Sequence, residues 1–578
     1  MNQHNFFTSI LSIIHNKSLV MFPKYMNLSN KTYFLLILIV ILAATIRLIW
    51  LDKYPSSLYS DEIDQGYNAY SLMLTGKDEH GVYMPVSLRS FGDWKPPLPS
   101  YFMIPFIRLI GLSEVSVRMP SALLGIITII LIFFLTMELF SDQEKRTKIA
   151  LLSSFFLSIS PWDILQSRAA MLVVTGLFFL VFGVYLFMKG LKNSKLLYLC
   201  ELSFALSIYS YYGLRVVIPV ILITLLFSFK KRLLGTLTHK DFLGLFILGC
   251  ILLLPLLISF IKQPDVIFGR AKTVSIFYDQ GINLRKWELI TQDGINANPL
   301  ITRLFHNNFY MYGRNILQRF LSHFDGRYLF MIGDTSQPFQ IPNMGILNFT
   351  DLFFIPLGLL VIFKKNYASR WLIFCWIIAG ILPSAFTFVT PSSNRTFNAI
   401  VIYSILVAVG TFYFARILSK RLLGIFVISL LYSLSFGYFL NQYFVELPIN
   451  HADWWNYGWK QVVEMVKNKE DKYNNIIVPD VNGMPYIYFL FYEKYSPEEF
   501  QKRAIKTYIA DRFGYEHVEG FGKYLFPNEF DWNFIKKNSL DKHALYIVPE
   551  DLAKSDTNYI NAIYYPNGKI AFKIFAYE

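Results

Sequence analysis

The sequence predicts a polytopic α-helical membrane protein with a small α/β domain at its C-terminal end. Three observations carry that reading: the hydropathy, the spacing of the apolar runs, and the charge of the loops between them. Of 578 residues, 54% are apolar and 16% charged, and the mean hydropathy is +0.39, a balance suited to lipid rather than to water. The formal charge of +14 does not point to nucleic acid, because most Lys and Arg lie in short tracts between apolar runs, where charge sets orientation. Cys200, Cys250 and Cys375 sit far apart inside apolar runs, with neither disulfide nor zinc spacing, and read as packing residues.

Stretches long enough to cross a hydrocarbon core of about 30 Å fall near 32–51, 119–140, 147–166, 170–189, 196–212, 214–230, 241–261, 347–363, 371–389, 397–417 and 422–444, about eleven helices. With a cytoplasmic N-terminus, the inner loops carry basic tracts such as Lys145-Arg146, Lys189 to Lys195, Lys230-Lys231-Arg232, Lys364-Lys365 and Lys420-Arg421. The three short outer turns then carry one arginine each, Arg168, Arg215 and Arg395, an asymmetry that follows the positive-inside rule. Residues 1–30 show no cleavable signal, so the first span also serves as the targeting signal. The expected site of residence is the plasma (inner) membrane, crossed many times, with the C-terminal domain extracytoplasmic.

This register divides the chain into an N-terminal cytoplasmic tail (1–31), a membrane part (32–445) and a soluble domain (446–578). Within the membrane part it assigns a first outer loop over 52–117 and a large one over 262–346. In the first, Tyr67 to Leu74 and Pro99 to Ile110 mix Tyr and Arg with apolar residues and predict helices lying along the surface. The second, with Arg270, Tyr310, Tyr312, Arg314, His323 and Arg327, is read as a lid over a cavity. From Leu447 the composition becomes that of a soluble domain: an amphipathic helix over 454–467, buried strands at 475–478 and 544–548, and a hairpin turn at Pro566-Asn567-Gly568.

Chemistry is expected on the outer face, where Ser60-Asp61-Glu62-Ile63-Asp64 is followed some thirty residues later by Phe91-Gly92-Asp93-Trp94-Lys95-Pro96-Pro97. A carboxylate facing a cavity there can take the proton of an attacking hydroxyl; alone, the acidic pair could equally cap a helix starting near Ile63. The arginines weigh against capping alone. Positive charge on the outer side is disfavoured unless it snorkels or finds an anion, and Lys95, Arg168, Arg215 and Arg395 together could surround a lipid phosphate. A phosphodiester leaves without a general acid, so fixed cations and one base would suffice. Asp93, Tyr67 and Tyr212 are candidates for the cavity wall or the acceptor site. No metal site is assigned and no cofactor is required, although Asp61, Glu62 and Asp93 could hold a divalent cation.

These motifs resemble the dolichyl-phosphate-mannose protein mannosyltransferase and aminoarabinose (lipid A) transferase group of the GT-C superfamily. The similarity rests on Asp61-Glu62 after the first span, Thr75-Gly76, Lys95-Pro96-Pro97-Leu98, Gly111 to Arg118 with Met119-Pro120, and Ser160-Pro161-Trp162 with Ser167-Arg168. The resemblance implies a GT-C-type fold and a glycosyltransferase that moves a hexosyl or pentosyl group, with inversion, from a polyprenyl-phosphate donor. The acceptor would be a lipid, glycan or protein. Asp61 would be the base, Glu62 its support and Lys95 the contact to the donor phosphate. Aminoarabinose transferases have Glu immediately before the lysine, where this chain has Trp94. A transporter or flippase for lipid-linked sugars is the alternative, but the charges sit at one face rather than at the bilayer midplane, and no internal repeat is evident.

Overall fold

The computed structural model describes residues 28–577 except 142–144, 279, 295–297, 337, 470–471, 481–483, 509–510, 512–513, 539–540 and 542. The tail expected over 1–31 therefore lies mostly outside the described residues. Each of the eleven apolar stretches falls on a helix, from Asn30–Leu48 to Arg421–Asn441. Among the described residues, six helices are long and apolar enough to cross a membrane, or seven if Arg146–Ser158 and Pro161–Arg168, bent by 57° to each other, count as one crossing. The count of eleven is thus higher than length and composition support: Lys195–Ile208 has 14 residues and Arg370–Ala385 has 16, short of the roughly 20 a crossing needs.

Helix packing here depends on small residues. A Cβ on Gly358 would stand 2.0 Å from the carbonyl oxygen of Leu406, and one on Gly410 2.1 Å from that of Phe354. The helices Asp351–Lys364 and Ile400–Ile417 therefore touch backbone to backbone, the close approach that lipid-embedded helices use where apolar burial gives no driving force.

The helix Ser60–Thr75 opens the first loop and stops at Gly76, whose φ of 70° gives the left-handed end favoured by glycine. Next comes a hairpin of β1 (Leu88–Ser90) and β2 (Asp93–Lys95), then the helix Leu98–Ile110. The hairpin turns through Phe91 and Gly92, both at positive φ, 53° and 86°, as a two-residue turn of right-handed twist requires. Gly92 is required twice, since a Cβ there would also lie 2.6 Å from the carbonyl oxygen of Gly514.

Beyond residue 446 lies a seven-stranded mixed sheet in the order β4-β5-β6-β3-β7-β9-β8. Its strands are β3 (Asn475–Ile477), β4 (Ile505–Thr507), β5 (His517–Phe521), β6 (Tyr524–Leu525), β7 (Ala544–Pro549), β8 (Asn561–Tyr564) and β9 (Ile570–Tyr577). Strand β3 runs parallel to β6 and β7, and the remaining pairs are antiparallel. The helix Trp459–Lys467 buries Trp459, Val462, Val463 and Val466. The sheet domain shares one apolar core with the first loop, in which Ile63, Tyr67 and Val117 pack with Tyr486, Phe491 and Phe500. Arg89 and Glu516 pair across the same junction.

Candidate functional site

Between the helix ends and the sheet domain lies a cavity of about 1810 Å³, lined by Asp61, Asp93, Lys95, Tyr212, Arg215, Arg270 and Arg395 among others. Asp61 and Asp64 are three residues apart on the helix Ser60–Thr75, hence on one face, and both reach the lysine at the end of β2. Lys95 Nζ donates to Asp61 Oδ1 at 2.6 Å and to Asp64 Oδ2 at 3.0 Å. The lysine side chain is 6% exposed and that of Asp64 1%, whereas that of Asp61 is 45% exposed and opens on the cavity. Asp61 is the reachable carboxylate.

Burial alone would raise the Asp61 carboxyl, but the Lys95 ammonium, through charge and hydrogen bond, with Arg270 behind it, holds it below its ordinary value. The same two carboxylates raise the lysine against the opposing effect of burial. Asp64 goes the other way: burial, reinforced by the charge of Glu79, pushes it up to about 7 in spite of Lys95. Asn68 links the two acids, donating to Asp64 Oδ1 and accepting from the Glu79 backbone N–H, and burial takes Glu79 to about 7 as well. Lys95 thus pairs chiefly with an ionised Asp61, while Asp64 holds its proton up to neutral pH.

At the other end of β2, Asp93 Oδ2 accepts from the Tyr212 hydroxyl at 3.1 Å and lies 3.3 Å from Arg270 Nη1. Burial opposes the charge on Arg270, but Asp93, Tyr212 and Asp61 around it raise the guanidinium pKa. Arg215 Nη1 donates to the Val266 carbonyl, and its Nε, buried, has no partner. Arg395 donates from Nη1 to Thr387 Oγ1 and the Val389 carbonyl, on a turn fixed by Asp334, which accepts from Ser393 N and Oγ at 2.5 and 2.8 Å. Arg270 and Arg395 lie within electrostatic reach of each other. Such a group of cations is best satisfied by an anion.

Three expectations need correction. Arg168 is wholly buried and does not line the cavity; it donates to the carbonyls of Ile46, Ile49, Trp50 and Tyr54 and to the Tyr443 hydroxyl, gathering the free acceptors at the end of the first helix. Glu62 does not touch the Asp61 carboxylate. It accepts from Arg118 Nε at 2.9 Å, from Tyr59 N and from Ala170 N, so it is a positioning residue, and the helix cap is Tyr59 with Glu62 rather than Asp61. Tyr67 is buried away from the cavity, its hydroxyl donating to the Tyr495 carbonyl. Asp61, Glu62 and Asp93 do not converge on a point, and among the described residues no three His, Cys, Asp or Glu side chains are arranged to hold a metal.

The large loop reaches the cavity through its first part, the helix Asp265–Val274 with Ser275 and Phe277, and again near its end through Ser336 and Phe339. His323 is elsewhere, buried against Tyr328, and burial lowers it to about 4. Sequence reasoning assigned no role to Asp64, although its spacing from Asp61 was visible, and did not pair Arg118 with Glu62, whose partnership spans 56 residues of sequence.

Residues 94–258 match the family model described as dolichyl-phosphate-mannose-protein mannosyltransferase. No curated protein sequence matches the chain. Among solved structures, ArnT from Cupriavidus metallidurans in the apo state aligns over 94% of this chain and 98% of its own, with 11% identity and a TM-score of 0.53. The same protein bound to undecaprenyl phosphate aligns with a TM-score of 0.50, 11% identity and the same coverage. The Archaeoglobus fulgidus oligosaccharyltransferase, tethered with an acceptor peptide, aligns at 11% identity and a TM-score of 0.46 over 80% of this chain, which spans 63% of that protein's length. The matched segment carries Lys95, Arg168 and Arg215; over it the chain is similar to the dolichyl-phosphate-mannose-protein mannosyltransferase family, and over nearly its whole length its fold is similar to that of ArnT.

Proposed function

We propose that this protein transfers a sugar, with inversion, from a polyprenyl-phosphate-linked donor to an acceptor hydroxyl or amine at the outer face of the plasma membrane, with Asp61 as the general base. The N-terminus is cytoplasmic and the sheet domain extracytoplasmic in this reading. The observation that carries it is a cavity lined by an exposed, charge-stabilised carboxylate together with Arg215, Arg270 and Arg395. The similarity to a protein whose structure contains undecaprenyl phosphate supports a donor of that kind.

In the reaction, the acceptor heteroatom attacks the anomeric carbon as its proton passes to Asp61 and the bond from that carbon to the phosphate oxygen breaks. The leaving polyprenyl phosphate gains charge, which the arginines stabilise from fixed positions. Lys95 is itself bound to Asp61, so its contribution is to keep the base ionised and aimed. It is not free to hold the phosphate while both carboxylates engage it. No step requires a metal, and a divalent cation is tested directly by adding EDTA to the assay.

The experiment is transfer by the purified full-length protein from polyprenyl-phosphate sugars, with the wild type compared with Asp61→Asn. Loss of turnover in a variant that still binds undecaprenyl phosphate supports the assignment. Normal turnover by Asp61→Asn removes it.

A further inference from the structure

The cavity is larger than one ligand needs, since pockets for single small molecules run to about 1,000 Å³, and its two walls differ in chemistry. The membrane part contributes the cations Lys95, Arg215, Arg270 and Arg395 beside the carboxylates Asp61 and Asp93, which engage Lys95 and Arg270, so that Arg215 and Arg395 are its cations held by no carboxylate among the described residues. The residues beyond 446 contribute five carboxylates, Asp453, Asp480, Asp511, Glu550 and Asp551, against Lys569. Glu550 and Asp551 are engaged by Lys573 and Lys554, and the Asp480 side chain, 4% exposed, is held by His517 at the edge of the space, which leaves Asp453 as the free carboxylate of this wall. Asp453 is exposed. Asp480 accepts from His517 Nδ1 at 2.6 Å, and His517 Nε2 lies 3.4 Å from Asp511. Three aromatic rings stand among these groups, Trp454, Tyr457 and Tyr515.

This wall is held against the reaction centre. The Glu516 N–H donates to the Phe91 carbonyl, Gly514 abuts Gly92, and Arg89 pairs with Glu516, so the segment carrying Tyr515 and His517 is docked on the hairpin that ends in Lys95. Tyr515 lies within electrostatic reach of Arg270 and of Tyr59, the neighbour of the Ser60-Asp61 helix start.

Building on the transferase reading, we infer that the sheet-domain wall, through Asp453, Asp480, His517 and the rings of Trp454, Tyr457 and Tyr515, is the acceptor subsite and takes a saccharide free of phosphate. Ionised carboxylates only accept hydrogen bonds, which suits the many O–H donors of a sugar. The flat apolar rings suit its C–H faces, each ring offering an apolar body beside a polar edge. The same carboxylates repel a phosphorylated acceptor, while the donor phosphate is drawn to the opposite wall. A peptide would gain most from pairing with a strand edge, but neither edge strand of the sheet, β4 or β8, contributes to the lining.

The test is a binding titration of the full-length protein in detergent, read by tryptophan fluorescence and saturation-transfer NMR. The probes are mannotriose, cellotriose, triacetylchitotriose, mannose 6-phosphate and a Ser/Thr-rich peptide, with undecaprenyl phosphate as the donor-side control. At least one neutral trisaccharide is expected to bind saturably and mannose 6-phosphate not to bind. Asp453→Asn and Tyr457→Ala should each weaken that trisaccharide at least fivefold without changing undecaprenyl phosphate binding. The inference is overturned if undecaprenyl phosphate binds but no trisaccharide does, if the peptide or the phosphorylated sugar occupies the Asp453-sensitive site, or if neither variant affects trisaccharide binding. Failure to bind undecaprenyl phosphate with saccharide binding intact would strike the donor reading and leave this one standing.

Discussion

Two charge clusters sit at the same end of the helix bundle, and they began as neighbours in sequence. Asp61 turns into the cavity with Lys95, whereas Glu62 turns into the protein with Arg118, both side chains there being 1% exposed or less. Arg118 also donates to the carbonyls of Leu51, Pro55 and Ser57, and Arg168 and the Arg47–Asp163 pair complete a layer in which most polar atoms are satisfied by the protein itself. Each cluster leaves one buried arginine nitrogen without a partner, Arg47 Nε or Arg215 Nε, but the cavity cluster alone of the two keeps an exposed carboxylate, Asp61. Closed satisfaction marks the cluster that holds the fold, and open valences mark the one that can do chemistry.

Substitutions should separate the two. The largest effect is expected for Asp61→Asn, which is nearly isosteric: loss of general-base catalysis should lower kcat about 10²- to 10⁴-fold, with the melting temperature only slightly lowered, since the carboxylate is 45% exposed and Lys95 keeps its contact to Asp64. Arg118→Met should do the reverse. Removing one member of a buried pair costs about 3–5 kcal/mol, so folded yield and melting temperature should fall sharply, while the fraction that folds retains turnover. A large stability loss for Asp61→Asn, or none for Arg118→Met, would erase the distinction.

The arginines extend the contrast and show what the sequence could convey. Arg168, Arg215 and Arg395 occupy equivalent turns by loop charge, but one is consumed by carbonyl oxygens and two line the cavity. Loop charge reports which end of a helix a residue occupies; whether its side chain finds partners depends on contacts such as Arg168 to Tyr54, 114 residues away. The helices were legible because lipid-facing stretches leave an unbroken apolar record, and Lys95 because Lys95-Pro96-Pro97 is a local motif. Arg270 as the partner of Asp93, 177 residues apart by number, left no such local trace. Accordingly, Arg395→Ala should reduce kcat/KM for the donor about 10-fold or more, in line with about 1.5–3 kcal/mol for a charged hydrogen bond, with little change in melting. Arg168→Ala should instead lower the melting temperature. Donor kinetics and thermal scans on the two variants decide between these patterns.

The smallest effect concerns pH and belongs to the buried side of the cavity cluster. Asp64 and Glu79 have folded-state pKa values raised to about 7 from ordinary values of 3.8 and 4.5. Between those values the folded chain binds more protons than the unfolded one, so stability falls as pH rises through the window and levels off above about 7. Asp61 has the opposite sign: its lowered pKa adds stability above pH 4 that is lost only as the medium becomes strongly acidic. The melting temperature is therefore expected to be highest near pH 4 and to drop by a few degrees at most toward pH 8, a modest shift for a chain of this length. Asp64→Asn should flatten that slope, because it removes the group whose proton is at stake and relieves Glu79 of its acidic neighbour, while turnover near neutral pH is kept because the paired carboxylate of Asp61 is untouched. A slope unchanged in Asp64→Asn would place the titrating group elsewhere and leave Lys95 shared between two ionised acids.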